Sequence, residues 1–323
     1  MYFFINDNTD PAFNLALEET LCSNFPEPFL MLWRNRSSVI VGKNQNTFAE
    51  VNASFVREHD IPVVRRMTGG GAVYHDLGNV NYSLVFHERH TGADSFALFA
   101  RPVVEALRSM GIDAAFSGRN DILVENRKVS GSAQCALKER TLFHGTLLFD
   151  ADMTMLTQVL TPRPVKLGSK GVKSVRARVA NLKEFLPQMS VESFMAHLAG
   201  QLVFFAGEIR PIAPEWLEQA GTLADERYRN WSWNWGAPFE APWENSKHFE
   251  GAGILELKVK LLNGVVSECK LTGDFFGDPG VVENTLKGVL FRKDAIAEAL
   301  KTLSVSEHIR GVDNAMFLSL IEL

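Results

Sequence analysis

The stretch RRMTGGGAVYHD, residues 65 to 76, sets three consecutive glycines directly behind two arginines and between two strand-like runs, PVVRR at 62 to 66 and NVNYSLVF at 79 to 86. A glycine run costs backbone entropy on folding, so a chain keeps one where its main chain must pass close to something else. Two cations ahead of the run point to an anion as that something. The segment has neither the GxxxxGK(S/T) spacing of a P-loop nor the GxGxxG pattern of a dinucleotide fold. Backbone N–H groups turned toward a phosphate or carboxylate are one reading. A glycine-rich turn with a solvated arginine pair is the other, and spacing alone leaves the two level.

Any such anion has to be held locally. The chain has 33 Lys and Arg against 38 Asp and Glu, a formal charge of −5, the wrong balance for a protein that binds nucleic acid through bulk positive charge. With 46% hydrophobic and 22% charged residues it reads as soluble and globular, and its length allows about two domains. The longest apolar stretch, LVFFAG at 202 to 207, is far short of the roughly 20 residues that cross a bilayer. The N-terminus, MYFFINDNTD, lacks the basic region of a signal peptide. Cys22, Cys135 and Cys269 are odd in number and far apart, with neither a disulfide framework nor a metal pattern such as CxxC. A cytoplasmic protein is expected, with no membrane and no nucleic acid among its partners.

Periodicity gives the organisation. Asp10 caps a first helix, with Pro11 in its first turn and Phe13, Leu17 and Leu21 recurring every four residues. Strand-like runs follow at 29 to 33, 38 to 42, 62 to 66 and 79 to 86. A helix from about Ser95 to Met110 ends at Gly111, and Pro102 inside it predicts a kink or a break. Residues 121 to 134 read as two short strands turning at Asn126, and 145 to 153 as another. Strands and helices mix without regular alternation, which predicts an α+β fold with a large mixed sheet rather than a doubly wound parallel one. GAPFEAPWENS, at 236 to 246, breaks the periodicity. It predicts a linker over 237–247, between a domain of residues 1–236 and a small α+β domain of residues 248–323. In the second, Leu255, Leu257, Val259 and Leu261 alternate with polar neighbours up to Asn263-Gly264, the favoured type I′ hairpin turn. Helices are expected around 282 to 303 and 306 to 321.

Two further stretches carry candidate chemistry. In RKVSGSAQ, residues 127 to 134, strict alternation puts Lys128, Ser130 and Ser132 on one face and Val129, Gly131 and Ala133 on the other. A compact ammonium among small neighbours suits a carboxylate or a phosphate; an exposed turn lysine is the commoner explanation of the same residues. Residues 166 to 182, KLGSKGVKSVRARVANL, hold five basic residues, two glycines and no acid. That fits a loop closing on an anion and equally a solvated basic loop. His75, Asp76 and His144 form no readable nucleophile–base arrangement, and Cys135 shows no sign of activation and reads as inert.

Taken in order, DPAFNLALEE (10 to 19), WRNRSSVIVGKNQN (33 to 46), RRMTGGGAVYHDLGNVNYS (65 to 83), GRNDILV (118 to 124), RKVSGSAQ (127 to 134), HGTLLFDADM (144 to 153) and KGVKSVRARVANL (170 to 182) resemble the lipoate–protein ligase A family over most of residues 7 to 245. NWSWNWG at 230 to 236 is similar as well, and the hairpin-plus-helices tail fits that family's C-terminal domain. The resemblance implies a catalytic domain of the biotin/lipoate ligase type. It implies an enzyme that joins lipoate or octanoate to ATP as an acyl-adenylate, releases pyrophosphate, and passes the acyl group to a lysine. The implied acceptors are lipoyl domains of 2-oxoacid dehydrogenase E2 subunits and the glycine cleavage H protein. By position, the resemblance assigns the adenylate to Arg66, Gly71, Ala72, Val73, Tyr74 and Lys128, with Tyr74 as an aromatic wall, and lipoate to Gly70, Gly71 and Lys128. Lys128 touches carboxyl and phosphate alike and is the implied catalytic residue. Asn120, Asp121 and His144 lie nearby, and Lys170 and Arg176 belong to a loop that orders over the adenylate. ATP with Mg²⁺ is the implied cofactor, with no tightly bound prosthetic group and no protein metal ligands named. The alternatives are an ATP-independent lipoyl or octanoyl transferase of the same fold and a non-catalytic lipoyl-AMP-binding protein.

Overall fold

The computed structural model describes residues 1–90, 95–118, 120–160, 179–236 and 239–321. Its strands in chain order are β1 (Tyr2–Asn6), β2 (Phe29–Trp33), β3 (Ser38–Val41), β4 (Val63–Arg65), β5 (Val73–His75), β6 (Asn79–Phe86), β7 (Ala114–Ser117), β8 (Asp121–Val124), β9 (Arg127–Leu137), β10 (Arg140–Leu148), β11 (Trp243–Phe249), β12 (Gly253–Leu262) and β13 (Val265–Gly273). A seven-stranded sheet runs β1-β2-β6-β10-β9-β8-β7, and two three-stranded sheets run β4-β3-β5 and β11-β12-β13. The β1–β2 pair is parallel and the others of the large sheet are antiparallel, so it is mixed, as expected.

β6 shows why the sheet is covered on both faces. Helix α1 (Pro11–Asn24) lies on one, bringing Leu15, Leu17 and Leu21 against Phe29, Met31 and Val85. Its start is as expected, with Asp10 Oδ1 accepting the Ala12 N–H at 3.1 Å and Pro11 at the first helical position. On the other face Val80, Tyr82 and Leu84 meet helix α2 (Ser95–Ser109) through Phe96, Phe99 and Val103, and helix α3 (Val191–Ala206) through Phe194, Leu198 and Leu202. Asn79, Asn81 and Ser83 alternate with these apolar residues and ought to face water. They are 0%, 1% and 0% exposed, because the small β4-β3-β5 sheet closes over that face.

The C-terminal sheet and its helices (Gly280–Leu286, Lys293–Ala299, Val305–His308 and Asn314–Leu318) enclose a separate apolar core. Asn263 and Gly264 have φ of 53° and 79°, as a type I′ turn requires. This unit is fastened to the rest at one corner. Gly273 N–H donates to Asn44 O at 2.9 Å and Gly70 N–H to Phe275 O at 3.2 Å, while the Phe276 ring lies 5.3 Å from that of Phe96.

Two expectations fail. α2 runs unbroken through Pro102. The lost N–H orphans the Leu98 carbonyl, but Leu98 is 53% exposed and water can serve it, while packing by the buried phenylalanines holds the helix. Residues 243–247 of the expected linker are strand: Trp243 pairs with Val259 and packs edge-on against Phe291. Four of the seven residues of β11 are exposed, so it carries no apolar period to be read.

Candidate functional site

A cavity of about 290 Å³ lies between the polar face of the large sheet and the small sheet. Register explains which side chains meet there. Trp33, Asn81 and Thr146 stand opposite one another across β2, β6 and β10, and Met31, Ser83, His144 and Ala133 form the next row. Ile40, Val73 and His75 face them from the small sheet, Gly70 to Ala72 form one edge, and Asn120, Asp121 and Lys128 another. Asp274 reaches the cavity from the C-terminal unit.

β9 does not alternate strictly, which corrects the placing of Lys128 with Ser130. The β8–β9 register slips between Ile122 and Leu123, so that Ile122 pairs with Ser130 while Leu123 pairs with Lys128. This is a bulge, with one extra residue on β9. It returns Lys128 to the side of Gly131, the ammonium lying 2.9 Å from where a Gly131 Cβ would stand, and leaves Ser130 fully buried. Asp121 Oδ1 meets Lys128 Nζ at 2.7 Å. Asn120 braces the bend by donating from Nδ2 to Ser132 O at 2.6 Å and accepting the Ser132 N–H at 2.9 Å. Lys170 and Arg176 lie outside the described residues. The chain re-enters beside the site, with Ala180 N–H donating to Lys128 O at 2.9 Å.

The arginine pair divides. Arg65 is caged, donating to the carbonyls of Gly42, Lys43, Gln45, Trp233 and Asn234 and to Thr47 Oγ1. Arg66 lines the cavity and shapes the loop after it, donating to Gly69 O at 2.7 Å, Gly71 O at 2.8 Å and Ile40 O at 3.2 Å. Burial pulls both guanidinium groups down to about 10. The glycines divide too. A Cβ on Gly69 would stand 2.4 Å from Phe275 O, and Gly70, at φ +90°, has Phe276 and Arg66 against it. Gly71 has nothing within 4 Å, so of the three it alone leaves open space where a side chain would stand. The Gly70 N–H is already taken by Phe275.

Behind the loop runs a buried polar relay that sequence spacing does not show. Arg66 Nε donates to Thr68 Oγ1 at 2.9 Å, Thr68 meets His144 Nε2 at 2.8 Å, and His144 Nδ1 meets Glu18 Oε2 at 2.9 Å. Ser83 Oγ donates to Glu18 Oε1 at 2.6 Å, and Trp33 Nε1 donates to Ser83 at 2.8 Å. Thr68, His144 and Ser83 each accept one bond and donate another, Arg66 and Trp33 donate at the two ends and Glu18 accepts between them, so the chain holds His144 and the Arg66 loop in fixed relation. Tyr74 is a correction: its ring turns away from the cavity into the Val39, Val41 and Val63 cluster, its hydroxyl donating to Ser37 Oγ at 3.1 Å. Val73 and His75 on either side of it line the cavity. Burial drives the Cys135 thiol far above its ordinary range, in keeping with an inert cysteine. Missed in the sequence were Glu18, Thr68 and Asn81. The alternating polar residues of NVNYSLVF were the available signal for Asn81.

Comparison with known proteins gives this geometry a context. The lipoyl protein ligase A/B catalytic domain matches residues 10–203, and the bacterial lipoate protein ligase C-terminus matches residues 239–321. Lipoate-protein ligase LplJ of Bacillus subtilis is 39% identical over 99% of this chain and 100% of its own length. The crystal structure of P. falciparum LipL1 in complex with lipoate superposes with a TM-score of 0.77 at 29% identity, covering 98% of this chain and 97% of that one. A bipartite lipoate protein ligase from Thermoplasma acidophilum, described with its E2 lipoyl domain, gives 0.66 at 29% identity over 75% and 98%. A lipoate-protein ligase A bound with ATP gives 0.64 at 28% over 73% and 98%. With both domains matched and the cavity formed from the residues that first carried the resemblance, this chain belongs to the lipoate–protein ligase family.

Proposed function

We propose that the protein activates lipoate with ATP to lipoyl-AMP and then passes the lipoyl group to a lysine of a lipoyl-domain protein. The observation that carries this reading is the Lys128 ammonium, set by a bulge on a cavity that the main chain of Gly71 also lines. In activation a lipoate oxygen bonds to the α-phosphorus as the bond to pyrophosphate breaks; in transfer an acceptor amine attacks the acyl carbon and AMP leaves. Two anions approach in the first step, and Lys128 with Arg66 offsets their repulsion in a partly dry site. In this reading Gly71, Ala72, Val73 and the Tyr74 backbone border the adenylate, Gly70 and Gly71 border the lipoyl carboxyl, and Asn120, Asp121 and His144 position these groups.

The LipL1–lipoate and ATP-bound neighbours support the two substrates, and the Thermoplasma system supports a lipoyl-domain acceptor. The glycine cleavage H protein is a second acceptor of the same kind. Among the described residues no group of three or more His, Cys, Asp or Glu is placed to hold a metal ion. In this reading Mg²⁺ arrives with the nucleotide. Among the same residues no helix is long and apolar enough to cross a membrane; cytoplasmic residence belongs to the proposal, supported by the three cysteines being unpaired thiols. Residues 1–236 form the catalytic unit and 248–323 the accessory one.

The purified protein, with no acceptor present, should catalyse lipoate-dependent exchange of pyrophosphate into ATP. Transfer from supplied lipoyl-AMP with exchange at background would remove the ligase reading in favour of an ATP-independent transferase.

A further inference from the structure

One wall of the cavity carries two polar nitrogens with nothing to bond to. His75 is 4% exposed and Asn81 1% exposed, and both line the cavity. Neither His75 Nε2 nor Asn81 Nδ2 has a hydrogen-bond partner among the described residues. A buried donor left bare is costly, so two in one cavity call for an acceptor in the ligand.

What stands behind His75 fixes its Nε2 as a donor. Asn14 Nδ2 donates to two backbone carbonyls, Asn8 O at 2.7 Å and Arg34 O at 3.0 Å, so its amide cannot be turned over. The same nitrogen faces Asn35 Oδ1 at 2.9 Å, which leaves Asn35 Nδ2 to face His75 Nδ1 at 3.1 Å. His75 Nδ1 is therefore the acceptor, and the ring hydrogen is on Nε2. Burial, with Arg66 and His144 adding to it, pushes the imidazole down to about 3, so it stays neutral. Asn79 and Asn81 share one amide–amide bond of 2.9 Å, and with Asn79 Nδ2 as its donor the Asn81 amide hydrogens are left for the cavity.

Position selects the acceptor. Thr146 Oγ1 meets the Gly131 N–H at 3.3 Å, and Gly131 is the residue against Lys128 Nζ. Asn81 is opposite Thr146 on the next strand, and Trp33 follows it. From Gly131 to Asn81 is two strand spacings, about 10 Å, a distance that an extended octanoyl chain with its carboxylate on Lys128 comes close to spanning. Around that end the cavity is apolar, with Leu15, Trp33 and Ile40, and the Trp33 and His75 rings meet edge-on at 6.3 Å. Lipoate differs from octanoate at this end of the chain, where it bears two sulfurs with lone pairs. We infer that His75 Nε2–H and the Asn81 amide recognise the dithiolane sulfurs, so that the cavity prefers lipoate over octanoate. An octanoyl tail fills the same space and leaves both donors bare. The inference rests on the lipoate-activating reading above.

Calorimetric binding of lipoate and octanoate to the wild-type chain, His75→Phe and Asn81→Leu tests it, with exchange rates measured on the same samples. The wild-type chain should bind lipoate about tenfold more tightly, since a site built to bond a polar atom rejects the analogue lacking it, though a sulfur acceptor is weak. Each variant should lose most of that ratio, chiefly through a higher KM for lipoate. Equal binding of the two acids by the wild-type chain overturns the inference even if neither variant folds. A variant that lowers both affinities alike assigns its residue to packing and overturns it too. Exchange with neither acid while the binding ratio holds removes the activation reading and leaves the recognition standing.

Discussion

His75 ties the stability of the fold to pH. Its pKa lies at about 3, against 6.5 for a free histidine, mainly because burial strips the water that would solvate an imidazolium, with Arg66 and His144 adding repulsion. As pH falls below 6.5 the unfolded chain takes the proton and the folded chain does not, so stability drops from there down to about pH 3 and is untouched above. Between pH 7 and pH 5 the loss from this group is about 2 kcal/mol. Urea unfolding at the two pH values measures it, and His75→Phe should flatten the difference; an unchanged difference in the variant would assign the pH response to other groups. At this scale the sequence marked candidates without deciding between their uses. Spacing left the three glycines level between close main-chain contact and a plain turn, and favoured an exposed turn for Lys128; the family resemblance drew both toward the site. Arg65 was not readable, since a guanidinium surrounded by carbonyls depends on residues 42–47 and 233–234 arriving around it.

The most consequential element is β9, whose bulge decides where its lysine points. Gly131 is the device that makes room, since any side chain there would stand 2.9 Å from Lys128 Nζ. Gly131→Ala should therefore displace the ammonium without touching its charge. A misplaced electrostatic donor of this kind costs about a hundredfold in rate, so exchange should fall toward the level of Lys128→Ala while the thermal midpoint moves little. Near-normal exchange in Gly131→Ala would mean that Lys128 acts from elsewhere. Alternation located β9 but could not show the bulge, because an inserted residue leaves composition and period unchanged over so short a run. The same limit applies to β6, where polar residues at every second position mark a face and say nothing of what covers it.

Across the whole molecule, the two units meet at the glycine loop, with Phe275 and Phe276 of the C-terminal unit set against Gly69, Gly70 and Phe96. The α+β class and the existence of a second unit were legible from mixed periods and the hairpin turn. Their contact was not, because it is made by main-chain atoms that no pattern of side chains advertises. The cage around Arg65 has a consequence for synthesis. Its last carbonyls come from Trp233 and Asn234, with sequence separations of 168 and 169. At ribosomal rates those residues follow Arg65 by roughly 10–30 s, and until then a cation bound for the interior lacks part of its shell. A chain released at residue 229 should accumulate in inclusion bodies, whereas one released at residue 236 should be recovered from the supernatant, as a sedimentation assay of expressing cells would show. Equal recovery would mean that the cage can be left open. The tryptophan-rich segment at 230 to 236 then acts as a closing signal for the nascent chain, its arrival marking the moment at which the first unit can leave the care of chaperones.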